Sequence, residues 1–324
     1  MTEMTKSRVI FSGSTHPSLA KEICDCLGEP LGEEVLKKFS NGEIYAQYPK
    51  SIRGCDVFIV QSISGSNIND SLMELLIMVD AAKRASARKI TAVISHYGYA
   101  RQDRKASSRE PITAKLVANL LTVAGVDRII AIDLHCGQIQ GFFDIPVNHL
   151  SALTLVADYF RNKGFDMDEV CVVSPDLGRA KAASKMASIL GCDLALMHKN
   201  RPKHNQAEIT ALIGDVKDKI CLLNDDMIDT AGSIAAAAET LKTKGAKEIY
   251  VSATHGVFSG PAFERLEHNP NIEEIVVTNT IPIPEEHLTG KIKIISVADL
   301  LAQAIDNIYH HKSIAGLFDS DISI

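Results

Sequence analysis

Asn224-Asp225-Asp226-Met227-Ile228-Asp229-Thr230-Ala231-Gly232-Ser233 lies between an apolar run, Ile220 to Leu223, and an Ala-rich segment, Ile234 to Leu241. The pattern reads as a strand, a short acidic loop and a helix. Carboxylates at a strand end can accept hydrogen bonds from vicinal hydroxyls, as on a ribose. Thr230, Ala231, Gly232 and Ser233 are small, so backbone can approach an anion closely. Their N–H groups stand where a helix begins, which suits a phosphate. A diol and a phosphate held a few residues apart spell a sugar phosphate. The competing reading is an acidic cap on an ordinary helix, and the full string favours the former.

The same rhythm runs through the chain. Val57 to Val60 reads as a buried strand, and Leu72, Leu75, Leu76 and Val79 mark a helix. Ile90 to Ile94 and Ile129 to Ile132 are strands, with a helix over Leu116 to Val123 between them. Further strands are expected at Val170 to Val173, Leu194 to Met197, Ile249 to Val251 and Ile275 to Val277. Alternation of this kind predicts an α/β protein with mainly parallel sheets flanked by helices. Ligands then belong at the carboxyl ends of the strands. A faint repeat aligns Leu121, Gly125, Ile129 and His135 with Leu241, Gly245, Ile249 and His255. Each copy reads as helix end, glycine turn, strand, then a histidine past the strand. Two copies of one α/β domain, with a boundary near Leu150, would explain it.

Composition bounds the function. The 324 residues suggest two domains of ordinary size. A net charge of -6 gives a nucleic-acid partner no electrostatic support. No apolar run approaches the ~20 residues that span a bilayer, and Met1 to Arg8 is too polar for a secretory signal. Seven dispersed cysteines fit reduced thiols and a cytoplasmic location. No G-x-x-x-x-G-K-[ST], G-x-S-x-G or H-E-x-x-H string occurs.

Other segments carry chemistry at expected strand ends. Phe39-Ser40-Asn41-Gly42-Glu43 is a turn whose ring, amide and carboxylate could hold a purine, or simply an ordinary hairpin turn. Tyr97 to Lys105 is a cationic loop in which Arg101 and Gln102 could meet a polyphosphate; a solvated charge run is the alternative. Asp133-Leu134-His135 follows a strand, and alternation would put Asp133 and His135 on one face, where they could meet a metal–nucleotide complex; a structural histidine is the commoner alternative. Asp176 offers a second oxygen ligand of the kind magnesium prefers. Lys199-Asn200-Arg201-Pro202, followed by polar Lys203 to Gln206, reads as a basic loop that could close as a lid over charge, or as a plain basic surface loop.

In this order these segments resemble the ribose-phosphate pyrophosphokinase family, also called phosphoribosyl pyrophosphate synthetases. The likeness runs from Val9 to Phe318. It is carried by Asn69 to Leu76, Tyr99 to Lys105, Gln138 to Pro146, Asp225 to Thr230 and Thr254-His255-Gly256. The acidic loop is shared with phosphoribosyltransferases, whereas the Asp133 to Pro146 stretch is more specific to the synthetases. The resemblance implies two similar phosphoribosyltransferase-type domains over 1–150 and 151–306, with a C-terminal segment, 307–324, packing back on the first.

It also implies an activity: transfer of the β,γ-diphosphate of magnesium-ATP to the 1-hydroxyl of ribose 5-phosphate, releasing AMP. Carried over by position, Phe39, Asn41, Gly42, Glu43, Arg101 and Gln102 would bind ATP. His135 and Asp176, with Asp133 nearby, would face the Mg2+ ion, and Lys199 and Arg201 would be catalytic cations. Arg201, Asp225, Asp226, Asp229, Thr230, Ala231, Gly232 and Ser233 would hold ribose 5-phosphate. Ser51, Arg53, Arg109 and Ser313 match a regulatory anion site, in a family whose common class is a hexamer activated by inorganic phosphate and inhibited by ADP. Ala315 and Gly316 stand where serines are common there, which implies an altered phosphate response. Two other functions compete: a catalytically silent regulatory subunit, disfavoured by the retained Lys199 and Arg201, and a phosphoribosyltransferase, disfavoured by the ATP-like segments and the chain length.

Overall fold

The computed structural model describes residues 7–317 except Ser66, His204, Asn205 and Thr289; of 199–203 and 206–210 it describes the backbone alone. The chain divides into two units. The first holds residues up to 151, with 280–282 and 297 onward, and the second holds Ala152–Asn279 and Ile283–Ser296.

The first unit starts with β1 (Arg8–Ser12), α1 (Pro17–Leu27) and the hairpin β2 (Val35–Lys38) and β3 (Ile44–Gln47). Then come β4 (Asp56–Gln61), α2 (Ile68–Arg84), β5 (Lys89–Ile94), α3 (Thr113–Ala124), β6 (Arg128–Ile132) and β7 (Val147–Leu150). The sheet has order β1-β4-β5-β6-β7 and is parallel throughout. Covered on both faces, a parallel strand needs no polar alternation, and every residue of β4 is buried. Pro17 opens α1, where a missing N–H costs nothing, and Gly28 closes it at φ 67. Leu75, Met78 and Val79 of α2 are fully buried, each contributing roughly 1.5–3 kcal/mol.

A buried carboxylate ties the strand ends to this helix. Glu74 of α2 accepts from Ser14 N–H at 2.7 Å, Ser14 Oγ at 2.8 Å and Gln61 Nε2 at 2.9 Å. Such a charge is tolerable inside only because its lone pairs are filled.

The second unit contains α4 (Leu153–Arg161), β8 (Val170–Ser174), α5 (Ala180–Leu190), β9 (Asp193–Lys203), β10 (Gln206–Ile213) and β11 (Ile220–Ile228). It continues through α6 (Gly232–Thr243), β12 (Glu248–Gly256), α7 (Ala262–Glu267), β13 (Glu274–Thr278) and β14 (Ile292–Ile295). The sheet order is β10-β9-β8-β11-β12-β13-β14, with only the β9–β10 pairing antiparallel. The expected α/β architecture of parallel sheets between helices is therefore present in both units. α8 (Ala298–Tyr309) then returns to the first unit and packs on α1. There Arg8, nearly sealed from solvent, pairs with Glu29 and with Asp306 of α8. Residues 318–324 of the expected C-terminal segment lie outside the described residues.

The structure corrects the expected strand limits. The basic segment at 199–201 is not a loop: β9 runs on to Lys203 and turns back as β10. His255 lies inside β12 rather than past it. Asp133 has φ 38, so the strand ends at Ile132, and alternation does not set the faces of Asp133 and His135.

Gly98 shows how tightly the loop after β5 is set. A Cβ there would lie 2.6 Å from Ile63 Cγ2 and 2.8 Å from the Ile63 carbonyl oxygen. Gly98→Ala should cost about 1–3 kcal/mol by overpacking. The urea unfolding midpoint measures this; an unchanged midpoint would mean that the turn relaxes freely.

Candidate functional site

In the first unit the candidate residues sit on three connections. Phe39, Asn41, Gly42 and Glu43 form the exposed tip of the β2–β3 hairpin. Phe39 N–H donates to the Glu43 carbonyl at 2.8 Å, Gly42 N–H to the Phe39 carbonyl at 2.8 Å, and Glu43 N–H to Asn41 Oδ1 at 3.2 Å. Gly42 adopts φ 92, which glycine takes without strain. The Phe39 ring packs edge-on against Tyr45, leaving Phe39 49% exposed and its outer face open to a flat partner.

Arg101 and Gln102 are exposed on the loop after β5. Gln102 is braced to α3: its carbonyl accepts from Ala114 N–H at 3.2 Å, and its Oε1 accepts from the Thr113 hydroxyl. Asp133 and His135 are half-buried after β6. Their segment is anchored by Asp133 N–H on the Leu150 carbonyl and by Leu134 N–H on His149 Nε2, both at 2.9 Å. Cys136 donates its thiol to Asp103 at 3.0 Å, and burial with that carboxylate raises the thiol to about 11, which keeps it protonated and inert. Ser51 and Arg53 are exposed on the β3–β4 connection, Arg109 on the loop between β5 and α3, and Ser313 after α8, all in this unit.

In the second unit two adjacent strand ends meet. Asp176 follows β8, and its Oδ1 accepts from Arg179 N–H at 3.1 Å, capping a short turn. The Arg179 guanidinium lies 3.9 Å from Asp225 Oδ1. Asp225 and Asp226 belong to β11 itself rather than to a loop, a correction to the expected strand end at Leu223. Asp225 is half-buried and Asp226 is 3% exposed. Burial, then the neighbouring Asp226 charge, pushes the Asp225 carboxyl well above its ordinary range, and Arg179 opposes this only in part.

Asp229, Thr230 and Ala231 form the remaining loop, and α6 begins at Gly232. Ala231 is buried at φ 60. The segment after β12 lies behind this loop. Val257 and Phe258 N–H both reach the Ile228 carbonyl at 2.9 Å, Ser259 N–H reaches the Asp229 carbonyl at 3.0 Å, and Arg265 Nη1 reaches the Thr230 carbonyl at 2.8 Å. The side chains of Lys199 and Arg201 lie outside the described residues; their backbone is in β9.

Sequence reading passed over Arg179, Arg265 and His149. Arg179 carries a signal, a cation three residues after Asp176. Arg265 carries none, because it is joined to the loop only by the fold.

The electrostatics of Asp225 have a measurable consequence. A carboxyl raised in the folded state destabilises the fold when ionised, an effect absent below the unfolded value and full above the folded one. Asp225→Asn should therefore raise the thermal unfolding midpoint at pH 8, and the gain should shrink as the pH falls toward 4. A gain that grew on acidification would show that the pair is held by favourable rather than repulsive forces.

Comparison with known proteins agrees with this architecture. Residues 8–125 match the N-terminal domain of ribose phosphate pyrophosphokinase, and residues 194–319 match the phosphoribosyl synthetase-associated domain. The chain is 56% identical to a ribose-phosphate pyrophosphokinase of Clostridium perfringens, covering 98% of this chain and 99% of that protein. It is 50% identical to the Bacillus subtilis protein of that name, covering 97% and 98%. A crystal structure of phosphoribosylpyrophosphate synthetase from Mycobacterium smegmatis superposes with a TM-score of 0.88 at 44% identity, covering 94% of this chain and 100% of that one. With identity near or above one half along almost the whole chain, and the same fold throughout, the chain belongs to the ribose-phosphate pyrophosphokinase family.

Proposed function

We propose that this protein is a ribose-phosphate diphosphokinase, which transfers the β,γ-diphosphate of ATP to the 1-hydroxyl of ribose 5-phosphate. The observation that carries the reading is the second unit's pairing of a desolvated carboxylate pair, Asp225 and Asp226, with a small-residue loop opening α6. A sugar diol can donate to a closely spaced carboxylate pair, and a 5-phosphate can accept from N–H groups at a helix start. Asp229 and Thr230 to Ser233 are the residues proposed to do the latter.

ATP is assigned to the first unit. The exposed Phe39 face would stack on adenine, Asn41, Gly42 and Glu43 would line its edge, and Arg101 with Gln102 would meet the polyphosphate. The 1-hydroxyl oxygen attacks the β-phosphorus and gives up its proton; the bond to the α–β bridging oxygen breaks, and the electron pair leaves with AMP. Little covalent chemistry falls to the protein, so positioning and charge neutralisation dominate. Lys199 and Arg201 are proposed to stabilise charge on the transferring group, with Arg201 also touching the ribose 5-phosphate.

Among the described residues no group of three His, Cys, Asp or Glu side chains forms a ready cage for a metal. Asp133 and His135 of the first unit, and Asp176 of the second, are the residues proposed to face Mg2+ carried by the nucleotide, an ion that prefers oxygen ligands and keeps several waters. Mg2+ would neutralise polyphosphate charge when bound. A homohexamer, inhibition by ADP and a phosphate response altered by Ala315 and Gly316 belong to the same proposal, through Ser51, Arg53, Arg109 and Ser313. Seven unpaired cysteines suit a reducing, cytoplasmic setting.

Purified protein given magnesium-ATP and ribose 5-phosphate, with no nucleobase, should form AMP and 5-phosphoribosyl 1-diphosphate in equal amounts. Absence of both products with ribose 5-phosphate still bound would favour the silent-subunit reading. Lys199→Ala should fold and lose at least roughly 10²–10³ in kcat; near wild-type turnover would remove its role.

A further inference from the structure

We infer that Arg265 is a positioning residue for the sugar-phosphate loop, the last member of a clamp that fixes its peptide planes from behind. The inference rests on the sugar-phosphate reading above. Three consecutive carbonyls, of Ile228, Asp229 and Thr230, are each taken by the segment that follows β12. Backbone N–H groups serve the first two: Val257 and Phe258 on Ile228 at 2.9 Å, and Ser259 on Asp229 at 3.0 Å. The third is taken by a side chain instead, from α7, which starts at Ala262 just after this segment. The guanidinium of Arg265, one turn into α7, reaches back and donates Nη1 to the Thr230 carbonyl at 2.8 Å.

The consequence follows from peptide geometry. In a trans peptide the C=O and the next N–H point in opposite directions. Carbonyls held toward the clamp therefore turn the N–H groups of Asp229, Thr230 and Ala231 away from it. Those donors are kept off the clamp, immediately before the first turn of α6, whose N–H groups have no intrahelical acceptor. The Thr230–Ala231 peptide most needs such a hold, since Ala231 sits at φ 60, where a residue with a Cβ is strained. Arg265 also lies over Gly232: a Cβ there would be 3.4 Å from Nη1. Arg265 is exposed, so solvent screens its charge, and its effect passes mainly through the bond to Thr230.

The test is initial-rate kinetics on the full chain, with each substrate varied in turn, together with calorimetric binding of ribose 5-phosphate. Arg265→Ala should raise KM and Kd for ribose 5-phosphate roughly 10- to 100-fold, the range for losing one charge-assisted bond. KM for ATP should stay within about twofold, because a loop defect is specific to one substrate. Arg265→Lys, which keeps a single donor of similar reach, should recover part of the affinity, and Arg265→Gln less. If Arg265→Ala fails to fold, the lysine and glutamine variants carry the comparison. Unchanged ribose 5-phosphate constants, or equal losses for both substrates, would overturn the positioning role. A wild-type protein that neither forms AMP nor binds ribose 5-phosphate would instead reject the underlying reading.

Discussion

Unequal parallel pairing of β11 with its two neighbours is the constraint on which the rest depends. On one side β11 pairs with β8 only from Ile220 to Leu223, opposite Val170 to Val173. On the other it pairs with β12 as far as Ile228, opposite Gly256. β11 thus outlasts β8, and Asn224 to Ile228 are supported from the β12 side alone. The space above the end of β8 is left to the Asp176 turn and to Arg179, which approaches Asp225. A slip of one residue would exchange faces along the whole strand and carry Asp226 out of its buried place. The buried bond from Asn224 Nδ2 to Ser252 Oγ, at 3.0 Å, fixes the register where the apolar pattern stops.

The unlike environments of the unit's carboxylates follow from that arrangement. Asp176 is satisfied locally by the turn it caps. Asp226 N–H donates to Asp225 Oδ1 at 2.8 Å, while burial and the neighbouring carboxylate raise the Asp225 carboxyl, and Arg179 at 3.9 Å is too far for a good hydrogen bond. Ionising Asp225 in the folded protein is therefore disfavoured, and a donor or cation brought close to it would lower that cost.

Much of this was legible in the sequence, and the limits of legibility have physical causes. Buried parallel strands such as Val57 to Val60 and Ile220 to Leu223 announce themselves as apolar runs, and glycine turns at Gly125 and Gly245 separate helix from strand. The strand limits were less readable. Polar residues at 224–227 stay in β11 because β12 supplies backbone partners, which no local propensity reveals. Likewise 199–203 remain extended because β10 folds back on them, although Pro202 and the charges read as a loop. Long-range supports such as Glu74 for Ser14 or His149 for Leu134 carry no periodic signal, since each depends on how strands end in space.

Backbone strain at the two candidate loops points the same way. Asp133 and Ala231 are non-glycine residues at positive φ, each placed just after a strand end of its own unit. Aspartate tolerates that region comparatively well, because its short side chain can bond to nearby backbone. Alanine has no such compensation, so its conformation must be imposed from outside. Burial of Ala231, the bond from Ala235 N–H to its carbonyl at 2.9 Å, and the hold on the preceding peptide supply that imposition. Glycine at 231 would remove the strain but would also free the peptide to turn over. An alanine held in place from behind gives the loop one orientation, so the entropy of ordering it is met once, in folding.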